Sequence, residues 1–177
     1  MVAEAPTVPK ISWWTGFQLL LFVVAGVAGW VVLGGPVVGP ASLFASFLLL
    51  WYWATVEKAD FKRLTATILG ALVGVALAWQ LKVLPTMYGG WGLGVALLVV
   101  VLAIYVQIMN WIPIAVNANA MLFLTVVAAP ALLISVDFTK LAMAVVLGAV
   151  YFAILVYLAT LYVQFRERRR GTNLTAG

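Results

Sequence analysis

The sequence predicts an all-α, polytopic membrane protein with six transmembrane helices. Of its 177 residues, 66% are hydrophobic and 8% are charged, whereas a soluble domain carries about 25% charged residues. A chain this apolar would expose large hydrophobic patches in water, which argues against a soluble globular fold. Its apolar runs are near the length of about 20 residues that crosses a bilayer as a helix. Residues 1–177 therefore read as a single membrane domain.

Six apolar runs follow one another along the chain. The first begins at Trp13 and is 22 residues long, which favours a retained span because the apolar region of a signal peptide has about 7–15 residues. The predicted spans are 13–34, 41–55 (or from Pro36), 64–83, 91–110, 114–135 and 141–165. Only the segment 110–113 divides the fourth span from the fifth, so five spans remain an alternative.

Polar and turn-forming residues separate these spans. The segment 57–63 combines two acidic and three basic residues, and Pro85 with the Tyr88-Gly89-Gly90 turn follows the third span. Asp137 and Lys140 precede the last span. Each break removes helix-forming potential or adds charge that a bilayer does not accept.

The basic residues predict the orientation. Eight fall on the side that would hold both termini: Lys10, Lys58, Lys62, Arg63, Arg166, Arg168, Arg169 and Arg170. Two, Lys82 and Lys140, fall on the other side. Cytoplasmic segments carry an excess of Lys and Arg. We therefore expect an inner (plasma) membrane protein with cytoplasmic tails at 1–12 and 166–177.

The composition also excludes several kinds of chemistry. There is no Cys and no His, and only five residues are acidic. Thiolate or imidazole metal sites, Cys nucleophiles and His proton relays are therefore unavailable. We expect no enzymatic activity, no cofactor, no metal and no nucleic-acid partner.

A weak internal repeat appears when the chain is shifted by 77 residues. Six of 29 positions are identical between 36–64 and 113–141, among them Asp60 with Asp137 and Phe61 with Phe138. Three spans in each half would give the halves opposite orientations, and such 3+3 inverted repeats are common in transporters. The repeat halves would be about 13–83 and 91–165. The alternative is that two loops share a helix-start signal.

Candidate pathway residues lie at the corresponding breaks of the two halves and on the helices beside them. They are Pro36, Pro40, Ser42, Ser46, Gln107, Asn110, Pro113, Asn117, Asn119 and Thr125. Paired Gly or Pro interruptions in two halves point to a binding site. The two breaks could equally be ordinary loops, and the amides could simply hold helices together.

Two further sets of residues have an expected role. Asp60 and Asp137 precede spans on opposite sides, where they would cap helices or serve as proton-coupling groups. Ala66, Gly70 and Gly74 form a stripe of small residues on the third span, which favours close helix packing.

The segment 63–74 resembles the fusaric acid resistance and aromatic acid exporter (FUSC-like) superfamily. That superfamily has a basic residue followed by a Gly-Thr-x2-Gly-x3-Gly helix; here Thr67, Gly70 and Gly74 match, and Ala66 replaces the first glycine. Asp137, Lys140 and Gly148 resemble the family's last span. The resemblance implies six spans and efflux of aromatic or other organic acids. Because many members add a soluble domain and a second membrane half, it also implies a homo-oligomer or a larger membrane complex.

Together these observations predict a transporter or exporter subunit for a small organic solute, such as an aromatic or carboxylic acid. Membrane lipid is the expected environment. A passive channel for a small neutral solute is an alternative, because no charge lies deep in a span. A non-transporting subunit that scaffolds a larger complex is another, because the spans leave few residues for extramembrane domains.

Overall fold

The computed structural model describes residues 13–174, and of these the side chains of Thr15, Leu19 and 166–174 lie outside the description. The predicted tail 1–12, with Lys10, and the basic side chains of 166–170 are therefore outside the described residues. The helices are α1 (Trp13–Val38), α2 (Leu43–Thr55), α3 (Phe61–Ile108), α4 (Ala118–Val127), α5 (Pro130–Ser135) and α6 (Phe138–Leu174). A 3-10 turn, Pro40–Ser42, leads into α2. The structure is 87% helix, with no strand among the described residues, so the all-α prediction is confirmed.

Within residues 13–174, three helices are long and apolar enough to cross a membrane. They are Gly16–Val38, Phe61–Ile108 and Phe138–Phe165. Two shorter apolar helices, Pro40–Thr55 and Ala118–Val127, accompany them. The structure thus supports a helical membrane protein, whereas the count of six spans goes further than this finding.

α3 is a hairpin of two helical arms. Gly89 has φ 58° and ψ −137°, a conformation that is open to glycine and breaks the helix. The Gln80 side-chain amide donates to the Ala96 carbonyl at 3.1 Å, although 16 residues separate them along the chain. Gly92 also packs against the Leu84 carbonyl. The first arm (61–88) and the second arm (90–108) are therefore antiparallel, as the Tyr88-Gly89-Gly90 turn predicts.

Two sequence predictions of helix boundaries are wrong. α1 continues through Pro36 to Val38, and the chain turns at Gly39, where φ is 79°. The predicted fifth span, 114–135, is divided into α4 and α5, because Pro130 has no N–H and holds Ala129 in an extended conformation (ψ 132°).

The helices pack around α6 and the first arm of α3. α6 contacts α1, α2 and α3, while α4 lies along α3 and also touches α2. The buried core comes from all five of the longer helices and is mostly aliphatic. These two central helices position every contact that the candidate site uses.

Pairs of contacting residues give the helix directions. Ser46 lies beside Gly148, and Phe47 lies beside Phe152, so α2 runs parallel to α6. Asn117 lies beside Gly70 and Phe123 beside Gly74, so α4 runs parallel to the first arm of α3. Trp30 packs on Phe152 and Gly26 on Leu155, which makes α1 antiparallel to α6.

The described charges gather at opposite ends of this bundle. Lys62 and Arg63 begin the first arm of α3. Near the other end of that arm, Lys82 Nζ donates to the Ile134 carbonyl at 3.1 Å and lies 5.5 Å from the Phe138 ring centroid, so α6 begins there. The first arm of α3 and α6 are therefore antiparallel.

Candidate functional site

Asn117 joins the start of α4 to α3. Its extended backbone makes it the N-cap of α4, and its Oδ1 accepts from the Ala120 N–H at 3.1 Å. Its Nδ2 donates to the Ala66 carbonyl at 2.9 Å and to the Pro113 carbonyl at 3.3 Å. One amide thus caps its own helix and bonds to the neighbouring one, a use that suits asparagine at a helix N-terminus.

Asn119 makes a second bond across the same contact. Its side chain is fully buried, and Nδ2 donates to the Thr67 carbonyl at 2.7 Å. Its Oδ1 is also buried and has no hydrogen-bond partner among the described residues. A buried amide oxygen without a donor is uncommon in proteins. This oxygen is therefore available to a water molecule or to a solute that carries a donor.

The small-residue stripe of α3 faces these two amides. A Cβ atom at Gly70 would collide with the Asn117 amide, and one at Gly74 would collide with the Ala120 carbonyl and with Phe123 Cβ. The backbones of α3 and α4 can approach this closely only because both positions lack a side chain. We call this contact, formed by Ala66, Thr67, Gly70 and Gly74 with Asn117, Asn119 and Ala120, the α3–α4 seam.

A second polar contact joins α2 to α6. Ser46 is fully buried, and its Oγ donates to the Ala144 carbonyl at 2.6 Å. A Cβ atom at Gly148 would collide with Ser46. Ser42, one turn earlier, is also buried. We call this contact, formed by Ser46 with Ala144 and Gly148, the α2–α6 seam.

The two seams correspond under the 77-residue shift. Thr67 and Ala144, whose carbonyls accept the two buried side-chain bonds, are 77 residues apart, and so are Ser42 and Asn119. The donor in the α2–α6 seam is Ser46, which lies one helical turn after Ser42, the residue that corresponds to Asn119. Ser42, Ser46, Thr67 and Asn119 are the buried polar side chains of the described part of the chain. Ser46, Thr67 and Asn119 take part in these two contacts, and Ser42 lies one turn before Ser46.

The helix starts correspond as well. Asp60 Oδ1 accepts from the Lys62 N–H at 2.9 Å, and Asp137 Oδ1 accepts from the Thr139 N–H at 2.9 Å. Both carboxylates are exposed, and the helices that they cap begin at Phe61 and Phe138. The capping role expected for Asp60 and Asp137 is observed, while proton coupling stays a prediction.

Each seam lies inward from the first residue of the central helix that it involves. Thr67 follows Phe61 by six residues and Ala144 follows Phe138 by six, which is about 9 Å at 1.5 Å per residue. α2 and α4 therefore begin partway along the bundle, near opposite ends. At 13 and 10 residues they are also the shorter apolar helices.

The other predicted pathway residues lie outside the buried contacts of the two seams. One of them, Pro113, accepts a hydrogen bond from Asn117 through its carbonyl. Pro36, Pro40, Asn110, Pro113 and Thr125 are exposed, and Gln107 is half-buried. Thr125 Oγ1 donates to the Met121 carbonyl of its own helix at 2.7 Å. Asn110 has φ 52° and ends the second arm of α3. Pro40, Asn110 and Pro113 lie in the segments between α-helices, whereas Pro36, Gln107 and Thr125 lie inside α-helices.

An aromatic cluster inside the bundle was missed by the sequence reasoning. Trp30 packs on Tyr151 and Phe152, and the Tyr151 hydroxyl donates to the Gly26 carbonyl at 3.0 Å. Trp30 Nε1 is buried and has no hydrogen-bond partner in the described part of the chain. No signal in the sequence separated this cluster from an interfacial position, because Trp30 lies four residues before Gly34, the predicted end of its span, and interfacial tryptophans sit near span ends.

Comparison with known proteins assigns no family. No protein-family model, curated protein or solved structure matches this chain. Within residues 13–174, no group of three His, Cys, Asp or Glu side chains comes together that could hold a metal ion. The candidate site therefore rests on the two seams alone, and the FUSC-like resemblance remains a prediction.

Proposed function

We propose that this protein is an integral inner-membrane transporter or exporter subunit for a small organic solute. The observation that carries the proposal is the correspondence of the two seams. Each seam joins a short helix to a central helix, and the accepting carbonyls of the central helices, Thr67 and Ala144, are 77 residues apart. Corresponding short or interrupted helices in two halves are the best sequence pointer to a transport site.

The proposed topology has six spans in a 3+3 inverted repeat. The first half is α1, α2 and the first arm of α3; the second is the second arm of α3, α4 with α5, and α6. The helix directions support this count, because α1, the first arm of α3 and α4 point one way while α2, the second arm and α6 point the other. An odd number of spans per half inverts the second half relative to the first.

In the proposed mechanism each seam closes one end of the pathway. In this proposal neither end of the pathway is open while both seams are formed. Rocking α4 away from α3 would break the Asn119–Thr67 bond. The Nδ2 donor of Asn119 would then be free for a carboxylate, and its Oδ1 would be exposed to a solute that carries a donor. Rocking α2 away from α6 would break the Ser46–Ala144 bond at the other end. Alternation between the two openings would move solute across the membrane.

The neutral character of the seams favours a second candidate function. Their buried polar side chains are hydroxyls and amides, without a charge. A passive channel for a small neutral solute would need no more. The bonds from both asparagines to backbone carbonyls would equally suit a scaffolding subunit, in which the amides serve packing alone.

Solute flux into proteoliposomes tests the proposal. The purified full chain would be reconstituted and loaded with benzoate, as an aromatic acid, or with glycerol, as a neutral solute. A transporter should move benzoate, with a rate that depends on an imposed pH gradient if proton-coupled. Glycerol flux that is independent of the pH gradient would favour the channel. Absence of flux for both solutes, with well-folded protein, would favour the scaffolding subunit.

The orientation has its own test. Lys58, Lys62 and Arg63 lie at one end of the bundle and Lys82 and Lys140 at the other, which supports cytoplasmic termini. A reporter fused after Gly177 should be active only in the cytoplasm. Periplasmic activity would overturn the span count or the orientation.

A further inference from the structure

The two asparagines of the α3–α4 seam differ in how much of their hydrogen-bonding capacity is used. An asparagine amide has two N–H hydrogens to donate and a carbonyl oxygen that accepts. In Asn117 the oxygen accepts from the Ala120 N–H, and Nδ2 donates to two carbonyls. Among the described residues, Asn119 Nδ2 donates only to the Thr67 carbonyl, and Asn119 Oδ1 accepts nothing. Asn119 therefore retains one donor hydrogen and one acceptor on the same fully buried amide.

A solute that satisfies both of these groups must offer an acceptor and a donor side by side. A carboxamide or urea does so with its C=O and N–H, and a protonated carboxylic acid does so with its C=O and O–H. A carboxylate could accept from Nδ2, but its second oxygen would face Oδ1 and leave that acceptor unpaired. A guanidinium ion has donors only. Because an unpaired buried polar atom is costly, the Asn119 amide discriminates against both ions.

The charges near the seam supply no counter-ion for a charged solute. The buried polar side chains of the described residues are all uncharged. Arg63, one turn before Thr67 on α3, has its Nε 3.9 Å from Oε2 of Glu57, so its charge is already paired. Asp60 is exposed and caps α3. An ion entering the seam would therefore lose its water without gaining an opposite charge.

We infer that the α3–α4 seam binds an uncharged solute with an adjacent carbonyl acceptor and N–H or O–H donor, and that Asn119 recognises this pair of groups. The inference rests on the proposed function, since a solute reaches Asn119 only when α4 moves away from α3. A carboxamide would be bound as it is, whereas a carboxylic acid would be bound together with its proton. Flux of an acid would then depend on pH without a titrating side chain in the pathway.

Three planar solutes of similar size test the recognition in proteoliposomes of the full chain. Urea has both a donor and an acceptor, guanidinium has donors only, and acetate has acceptors only. Above the flux in protein-free vesicles, urea should enter at least about tenfold faster than guanidinium, since one lost hydrogen bond with an unpaired partner costs about that factor. Glycerol, an uncharged solute without a carbonyl, measures the basal permeability.

Acetate separates the two sources of the same chemistry. Added acetate should compete with urea flux, and its potency should rise about tenfold for each unit by which the pH is lowered, because only the protonated acid matches the amide. Acetamide should compete equally at every pH. Competition by acetate that does not change with pH would show that the carboxylate is bound, and would overturn the inference.

Variants of Asn119 test which residue makes the selection. Asn119→Asp has acceptors only when ionised, so it should shift the preference from urea towards guanidinium by about tenfold or more. Because a buried carboxylate can prevent folding, Asn119→Ser is the second variant, and it should lose about tenfold in urea flux relative to glycerol flux. Gln80→Leu is the matched control. It removes an amide that bonds to the Ala96 carbonyl within α3, outside the seam, and should keep the ratio of urea to guanidinium flux.

The outcomes distinguish this inference from the proposed function. Benzoate or glycerol flux without urea flux would overturn the inference and leave transport standing. So would guanidinium flux equal to urea flux, or an unchanged preference in both Asn119 variants. If well-folded protein moves none of these solutes, the proposed function fails and the inference fails with it.

Discussion

In both seams a side chain of a short helix donates to a backbone carbonyl of a central helix beside a glycine, but the donating side chains differ. In the α3–α4 seam, two asparagines bond to carbonyls of α3, and Gly70 and Gly74 admit the neighbouring helix. In the α2–α6 seam, a single serine bonds to α6, and Gly148 admits it. The corresponding carbonyls, Thr67 and Ala144, accept a bond in both.

The difference shows where unsatisfied polar chemistry is concentrated. The Ser46 hydroxyl donates its one hydrogen, so the α2–α6 seam is paired. Asn119 retains a buried acceptor without a partner, so the α3–α4 seam is not. An amide has a second polar atom that a hydroxyl of similar placement lacks. We therefore expect the α3–α4 seam to contribute more to solute recognition and the α2–α6 seam to act mainly in closure.

The largest expected effect of a single substitution comes from filling the α3–α4 seam. Gly74→Leu would drive a side chain into the backbone of α4 at Ala120. We expect a loss of about 1–3 kcal/mol, typical of overpacking, seen as a lower midpoint in a thermal melt in detergent. Gly94→Leu is the matched control, because a Cβ at Gly94 would meet no described atom within 4 Å apart from its own stretch of helix. Equal melting midpoints for the unmodified protein and Gly74→Leu would indicate that the small-residue stripe of α3 faces lipid.

Removing the amides tests whether the unpaired acceptor matters to function. The double change Asn117→Leu and Asn119→Leu preserves size approximately and suits the bilayer. Each interhelical bond contributes about 0.6–2 kcal/mol, so we expect reduced stability and, in addition, abolished flux per folded molecule. Stability and flux would be measured on one preparation. Reduced stability with full flux would refute the pathway role of the amides.

The paired helix caps compare the starts of α3 and α6. Asp60→Ala and Asp137→Ala should each cost about 1 kcal/mol, the usual value of an N-cap, and the two losses should be alike. Asp60→Asn keeps the cap and removes the titrating group, so it should leave the melting temperature nearly unchanged.

Flux in the Asp→Asn variants separates capping from proton coupling. If the carboxylates only cap helices, the response of flux to a pH gradient will persist in Asp60→Asn and in Asp137→Asn. Loss of that response in either variant, with the melting temperature intact, would assign proton coupling to that residue.

The smallest expected effect is in the α2–α6 seam. Ser46→Ala removes one hydroxyl beside Gly148 and should cost about 0.6 kcal/mol, the average for such bonds in membranes. Thr125→Ala is the control, since the Thr125 hydroxyl is exposed and bonds only within its own helix. We expect Ser46→Ala to change flux less than Asn119→Leu. A greater change in flux in Ser46→Ala than in Asn119→Leu would indicate that the α2–α6 seam contributes more to solute recognition than the α3–α4 seam.

Much of the helix layout could be predicted because it depends on local chemistry. The Tyr88-Gly89-Gly90 turn marks the bend in α3, and Asp60 and Asp137 mark the starts of α3 and α6. The division of the predicted fifth span at Pro130 was missed, although the proline was visible, because its neighbours remain apolar on both sides. Hydropathy measures composition and does not register a missing N–H.

The pairing of the site residues could not be predicted from spacing. Asn117 and Asn119 had two open roles in the sequence, as pathway groups or as interhelical bonds, and Gly70 and Gly74 had no assigned neighbour. Whether these residues meet depends on which helix α4 packs against, and contacts between residues about 50 positions apart leave no periodic signal in either segment.

The sequence by itself therefore determined the all-helical class, the apolar character of the helices, the caps and the 77-residue correspondence, because each follows from residue types and local backbone chemistry. Only the tertiary structure decided that both asparagines bond to α3, that Ser46 bonds to α6, and that the acceptor of Asn119 is left unpaired. The physical reason is that a buried hydrogen bond requires two partners at close range, and that proximity is created by helix packing between distant parts of the chain.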